Sequence, residues 1–146
     1  MSGDGLAVIG GLGLDRFAAR GWTPRSVGGL TLGADPIAYA LSLTAKRRGQ
    51  NLDAFTVRKQ AKDHGTGKRI EGCFAAGYPV VIVEDVLTTG NSARDAINAV
   101  KDEGGHILGV MAVVDRQEGG REALEHAGYL VEAFLTVSDL GLRADT

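Results

Sequence analysis

Three short apolar runs, residues 80–84, 108–114 and 130–137, are rich in β-branched side chains, bounded by turn formers and separated by stretches of helical spacing. Residues 52–57 form a weaker fourth run. Helical patterns lie at 34–48, 92–103 and 121–127, and Gly104-Gly105 closes the middle one as a helix stop should. A chain that alternates in this way is predicted to be α/β, with a mostly parallel central sheet flanked by helices. In such sheets ligands collect beyond the carboxyl ends of the strands, so functional groups are expected just after them.

The 146 residues suit a single domain, residues 1–146, since domains commonly span roughly 100 to 200 residues. Leu6, Ile9, Leu14 and Phe17 suit a helix near the start, although Gly10, Gly11 and Gly13 each cost about 1 kcal/mol there relative to alanine. Gly11-Leu12-Gly13 is not a dinucleotide fingerprint: no strand precedes it, and Arg16 stands where a third glycine belongs. Helix packing explains these glycines better. A net charge of -2 offers no general field for nucleic acid, so anion binding must come from local clusters. The single cysteine, Cys73, rules out an internal disulfide and suits the cytoplasm; it is expected to be a small semi-buried side chain. No apolar run approaches the roughly 20 residues of a membrane helix. His106, His126 and Trp22 are expected to be structural, the histidines at the surface and the tryptophan in packing.

The run at 80–84 leads into Glu84-Asp85-Val86-Leu87-Thr88-Thr89-Gly90-Asn91-Ser92. Two carboxylates end the apolar run, and a turn rich in hydroxyls opens the next helix. A helix start leaves backbone N–H groups unpaired and partly positive, so such a loop can surround a phosphate without a lysine. Thr88, Thr89, Asn91 and Ser92 add side-chain donors, and Gly90 allows close approach and a positive φ. Glu84 and Asp85 can accept hydrogen bonds from vicinal ribose hydroxyls. An ordinary strand-to-helix turn, capped by Asn91 or Ser92, is the competing explanation. The full string resembles the 5-phosphoribosyl 1-diphosphate binding motif of the type I phosphoribosyltransferases, and that resemblance also implies the fold.

A second cluster, Arg58-Lys59-Gln60-Ala61-Lys62-Asp63-His64-Gly65-Thr66-Gly67-Lys68-Arg69, packs five cationic side chains and one histidine into twelve residues. Cations beside a departing diphosphate act most strongly as the bond breaks. Gly65 and Gly67 would let the segment close over a substrate and reopen; otherwise it is a solvated charged hairpin. Arg-Lys-x-x-Lys-Asp-His-Gly resembles the mobile loop of the orotate phosphoribosyltransferases. That resemblance implies transfer of 5-phosphoribosyl from 5-phosphoribosyl 1-diphosphate to orotate. It implies Arg58 and Lys59 on the diphosphate, and Lys62 and His64 on the lid. Lys62, His64 and Asp85 are the catalytic candidates, and Mg²⁺ sits on the donor's diphosphate and hydroxyl oxygens rather than in a protein cage. It further implies a homodimer whose lids reach into neighbouring sites.

Residues 27–36, Val27-Gly28-Gly29-Leu30-Thr31-Leu32-Gly33-Ala34-Asp35-Pro36, read as a glycine-rich turn running into a helix and resemble the family's pyrophosphate loop, with Leu32 where some members have lysine. Asp115-Arg116-Gln117-Glu118-Gly119-Gly120 follows the run at 108–114. An arginine there can grip a planar carboxylate through two parallel bonds. The resemblance assigns Arg116 to the orotate carboxylate, with Thr88 touching the base. The family's N-terminal hood, with its Ser-Gly-x-x-Ser segment, is not reproduced by Met1-Ser2-Gly3, so the donor site is more completely represented than the acceptor site. Transfer to another nucleobase, or donor binding without catalysis, are the alternative readings.

Overall fold

In the computed structural model, which describes residues 1–65 and 67–142, one six-stranded sheet carries helices on both faces. The strands are β1 (Ser26–Leu30), β2 (Asp53–Val57), β3 (Ile70–Gly72), β4 (Pro79–Leu87), β5 (His106–Asp115) and β6 (Val131–Thr136). The helices are α1 (Gly3–Arg20), α2 (Ala34–Arg47), α3 (Asn91–Asp102) and α4 (Gly120–His126). The sheet order is β3-β2-β1-β4-β5-β6, and every pairing is parallel except β2 with β3. The expected α/β fold with a mostly parallel sheet is therefore what the chain adopts.

Two apolar layers follow from the alternation of side chains along each strand. On β4, Val80 and Ile82 join α3 residues Ala93, Ile97 and Val100 in one cluster. Val81 and Val83 join Ile37, Leu41, Leu14 and Phe17 of α2 and α1 in the other. Trp22 is buried in this second layer against Phe17, as expected. The α1 glycines are places of contact. A Cβ at Gly10 would lie 2.1 Å from Thr44 Oγ1, and one at Gly13 would lie 2.4 Å from Leu41 Cδ2. Tight packing on α2 thus offsets the helix penalty of those residues.

Several boundaries differ from the sequence expectation. The first part of the expected glycine-rich turn is a central strand, β1, whose first four residues are buried. Gly28 and Gly29 are there because nothing larger fits: a Cβ at Gly28 would stand 2.3 Å from the Phe55 carbonyl oxygen, and one at Gly29 2.2 Å from that of Val83. β3, which no periodicity announced, is a three-residue antiparallel edge strand. β4 continues past the acids to Leu87, where Leu87 pairs with Asp115. Glu84, Asp85, Val86 and Leu87 consequently lie on the strand rather than beyond it. Cys73 is exposed, not semi-buried, because it directly follows the edge strand. No helix among the described residues is long and apolar enough to cross a membrane.

Candidate functional site

The order in which strands are added reverses between the parallel neighbours β1 and β4, and the helices that follow them, α2 and α3, pack on opposite faces. This is where a parallel sheet opens a crevice. Four neighbouring strands deliver the groups singled out in the sequence to this one edge. Arg58 and Lys59 leave β2, Thr31 to Gly33 leave β1, Thr88 to Ser92 leave β4, and Arg116 leaves β5. Three strand spacings of about 4.8 Å spread this array over roughly 14 Å.

Gly90, at φ 84°, precedes α3, and no side chain caps that helix start. The cap offered as the competing explanation, by Asn91 or Ser92, is therefore absent, since both lie within the first turn of α3. The loop is held from behind by the Gly120 N–H, which donates to the Thr88 carbonyl at 2.9 Å. A Cβ at Gly120 would fall 2.4 Å from that same oxygen. Gly120 thus lets α4 press directly on the loop 88–90, a contact no sequence motif pointed to.

Because β4 runs on to Leu87, the adjacent acids point to opposite faces. Glu84 is 5% exposed, lines a small cleft with Thr88, Thr89, Gly90 and Ser92, and has an Oε1 with no hydrogen-bond partner among the described residues. Burial, reinforced by the charge of Asp85, raises its pKa from 4.5 to about 7. Asp85 faces the other way, with Oδ1 accepting from the Val86 N–H at 2.8 Å. Its carboxylate would be 2.7 Å from a Cβ at Gly33, so a larger residue there would have to displace the acid. The same loop is tied to β2 through buried Asp35, which accepts from Thr31 Oγ1 at 2.8 Å and Thr56 Oγ1 at 3.0 Å.

Residues 58–69 connect β2 to β3. Arg58 and Lys62 both pair with Glu71 Oε1, at 3.0 and 3.3 Å, while Lys59 and His64 are exposed. Gly65 and Gly67 have φ of 117° and 70°, a region that side chains disfavour; Thr66 between them lies outside the described residues. Arg116 donates its N–H to the Leu87 carbonyl at 2.9 Å, which sets it beside Thr88, and its guanidinium meets Glu118 at 2.8 Å. Asp115 is buried, accepts from the Gln117 N–H at 2.8 Å and pairs with Arg121 at 3.2 Å. Gln117 takes a positive φ of 59° and accepts from Ser138 Oγ and N. This braced turn fixes the backbone that carries Arg116.

The chain is 47% identical over 136 residues to the orotate phosphoribosyltransferase of Mycobacterium leprae, covering 93% of this chain and 73% of the relative. The chain belongs to the orotate phosphoribosyltransferase family. It is 50% identical over 121 residues to the enzyme of that name from Mycobacterium tuberculosis and spans 66% of its length. The solved structure of the Mycobacterium tuberculosis orotate phosphoribosyltransferase in complex with 5-phospho-alpha-D-ribosyl 1-diphosphate superposes with a TM-score of 0.82 at 45% identity, covering 93% of this chain and 75% of that one. A phosphoribosyltransferase from Corynebacterium diphtheriae gives 0.82 at 40% identity, covering 93% and 77%. Adenine phosphoribosyltransferase from Leishmania tarentolae, at 12% identity and a TM-score of 0.66, shares the fold alone. No protein-family model matches the sequence. Membership in the orotate phosphoribosyltransferase family agrees with the resemblance read from the basic loop.

Proposed function

We propose that this chain transfers the 5-phosphoribosyl group of 5-phosphoribosyl 1-diphosphate to N1 of orotate, releasing pyrophosphate and orotidine 5-phosphate. The observation that carries this reading is the order of groups along one sheet edge: cations after β2, a close-passing backbone after β1, acids and a phosphate loop on β4, and an arginine after β5. The 5-phosphate lies on Thr88, Thr89, Gly90, Asn91 and Ser92. Glu84 and Asp85 accept from the ribose hydroxyls, with Val86 and Leu87 supporting the loop from the strand. Arg58 and Lys59 meet the diphosphate, joined by Lys62 and His64 of the lid. Arg116 takes the orotate carboxylate, and Thr88 touches the base.

Among the described residues no group of three His, Cys, Asp or Glu side chains could hold a metal ion by itself. Mg²⁺ characteristically binds one or two carboxylates together with substrate phosphates, and Asp85, which lies beside Gly33 of the loop after β1, would be the carboxylate nearest the diphosphate. When bound, it would neutralise charge on the diphosphate. The remaining work falls to the chain: orienting the ribose, excluding water under the lid, and placing Lys62 against the departing oxygens as the oxocarbenium-like state forms. No covalent intermediate is involved.

The decisive experiment mixes protein, Mg²⁺, donor and orotate and follows the ultraviolet absorbance of orotate. Turnover is the expected result, and donor binding without absorbance change would reduce the chain to a donor-binding module. Arg116→Ala should lower kcat/KM for orotate by about 10- to 100-fold, the range for losing a charge-assisted pair, with donor affinity little changed. Preference for uracil or a purine in wild-type protein would redirect the proposal to another acceptor.

The reading includes a homodimer in the cytoplasm. Leu6, Leu32, Tyr39 and Leu43 line an apolar groove of about 670 Å³ between α1 and α2, and Leu32 is 77% exposed beside the donor site. Such a face is expected to be covered. Sedimentation at micromolar concentration should give a dimer, and Leu43→Asp should shift it towards monomer.

A further inference from the structure

Arg69 is less exposed than Arg58 or Lys62 of the same basic loop. Arg69 closes the neck of residues 58–69, and its side chain is 24% exposed. Its guanidinium meets Asp95 of α3 through two parallel bonds, Nη1 to Oδ1 and Nη2 to Oδ2, each 2.8 Å. On its other side it donates from Nε and Nη2 to the Arg58 carbonyl at 3.0 and 2.8 Å, and from Nη2 to the Lys59 carbonyl at 3.2 Å. The next residue repeats the attachment: the Ile70 N–H donates to Glu103 Oε2, at the far end of α3, at 3.3 Å. The Asp95 carboxyl is held below its ordinary range, first by its hydrogen bonds to Arg69.

These bonds join two parts that no strand pairing connects. One is the backbone of Arg58 and Lys59, leaving β2; the other is the helix whose first turn forms the phosphate loop. An exposed ion pair contributes little to stability, so the information in this contact is geometric: a forked guanidinium fixes direction as well as distance. We infer that Arg69 is a positioning residue that sets the span between the diphosphate end and the 5-phosphate end of the donor site, with Asp95 as its anchor. This rests on the proposed function. A ligand held at both ends gains from each half being placed for it in advance, whereas a fragment touching one end gains nothing from the span.

The test compares wild type, Arg69→Lys, Asp95→Asn and the double variant by calorimetry with three probes: ribose 5-phosphate, inorganic pyrophosphate and 5-phosphoribosyl 1-diphosphate with Mg²⁺. Lysine keeps the charge but cannot make the two-sided fork. Each single variant should weaken the two-ended donor about tenfold, as expected for losing advance placement, while either fragment binds within about twofold of wild type. The double variant should bind the donor no more weakly than Arg69→Lys, because both changes break one contact. Parallel weakening of all three probes, which general structural damage would produce, overturns the inference, as does donor affinity unchanged in Arg69→Lys. A wild-type chain that binds none of the probes sinks the proposed function and the clamp together. Variants that match a binding-competent wild type sink the clamp alone.

Discussion

Lys62→Ala is expected to lower kcat for phosphoribosyl transfer by about 10²- to 10³-fold, the usual effect of removing one group that stabilises transition-state charge. Donor affinity should be largely kept. The asymmetry follows from where Lys62 rests. Its side chain is 59% exposed and shares Glu71 Oε1 with Arg58, so without donor its charge is occupied at the sheet edge. Arg58, then Lys62, holds the Glu71 carboxyl below its ordinary range, which shows that both cations act on this one group. Arg58 shares that acceptor but directly follows β2, so the proposed contact with the diphosphate asks only for a side-chain rotation. On the proposed reading Lys62 would travel with the lid, so its interaction with the donor would be made chiefly once the site has closed. Charge on the departing oxygens grows as the glycosidic bond breaks, and a late-arriving cation is worth most at that point. Single-turnover rates beside equilibrium titrations separate the two quantities. A variant that loses donor affinity and rate in equal measure would show Lys62 to be a ground-state contact.

The parts of this architecture that could be read in the sequence are those in which side-chain pattern and structure have one cause. β4 and β5 are central parallel strands covered on both faces, which makes them continuous apolar runs. β1 is equally central, yet Gly28 and Gly29 were selected by the closeness of Phe55 and Val83, so its sequence resembles a turn. Edge strand β3 is too short to show any period. The string Glu84 to Ser92 was read as a strand end leading into a helix start, which it is, but the orientation of its acids depended on β4 continuing to Leu87, and nothing local announced that. Arg69 was submerged in a charge run, where composition cannot distinguish an anchored fork from a solvated side chain; its partner Asp95, 26 positions away, does so. Gly10 and Gly13 counted against a helix until α2 supplied the contact that requires them.

Donor binding should tighten as pH rises towards 8, and Glu84 should be the reason. Its Oε1 is buried without a partner among the described residues in the cleft of the phosphate loop, and its pKa stands at about 7 rather than 4.5. A ribose hydroxyl gives a strong hydrogen bond to a carboxylate and a weaker one to a carboxylic acid, so the donor selects the ionised form and expels a proton. For one proton at that pKa, affinity should fall roughly 30-fold between pH 8 and pH 5.5. The donor's own phosphates also titrate, but equally for every variant. Glu84→Gln isolates the protein's share: it should bind more weakly than wild type at pH 8 and lose the excess pH dependence. The donor-free protein should show the opposite trend in stability. Because folding raises this pKa, the folded state holds a proton that the unfolded chain releases, so the contribution is complete below about pH 4.5 and is lost as pH rises through about 7. Asp95, Glu132 and Asp139, whose carboxyls are all lowered, change stability only at more acidic pH and leave this window to Glu84. Thermal melts of wild type should therefore decline between pH 5 and pH 8 relative to Glu84→Gln. Identical slopes for the two proteins, in melts and in donor titrations alike, would remove Glu84 from the ribose site.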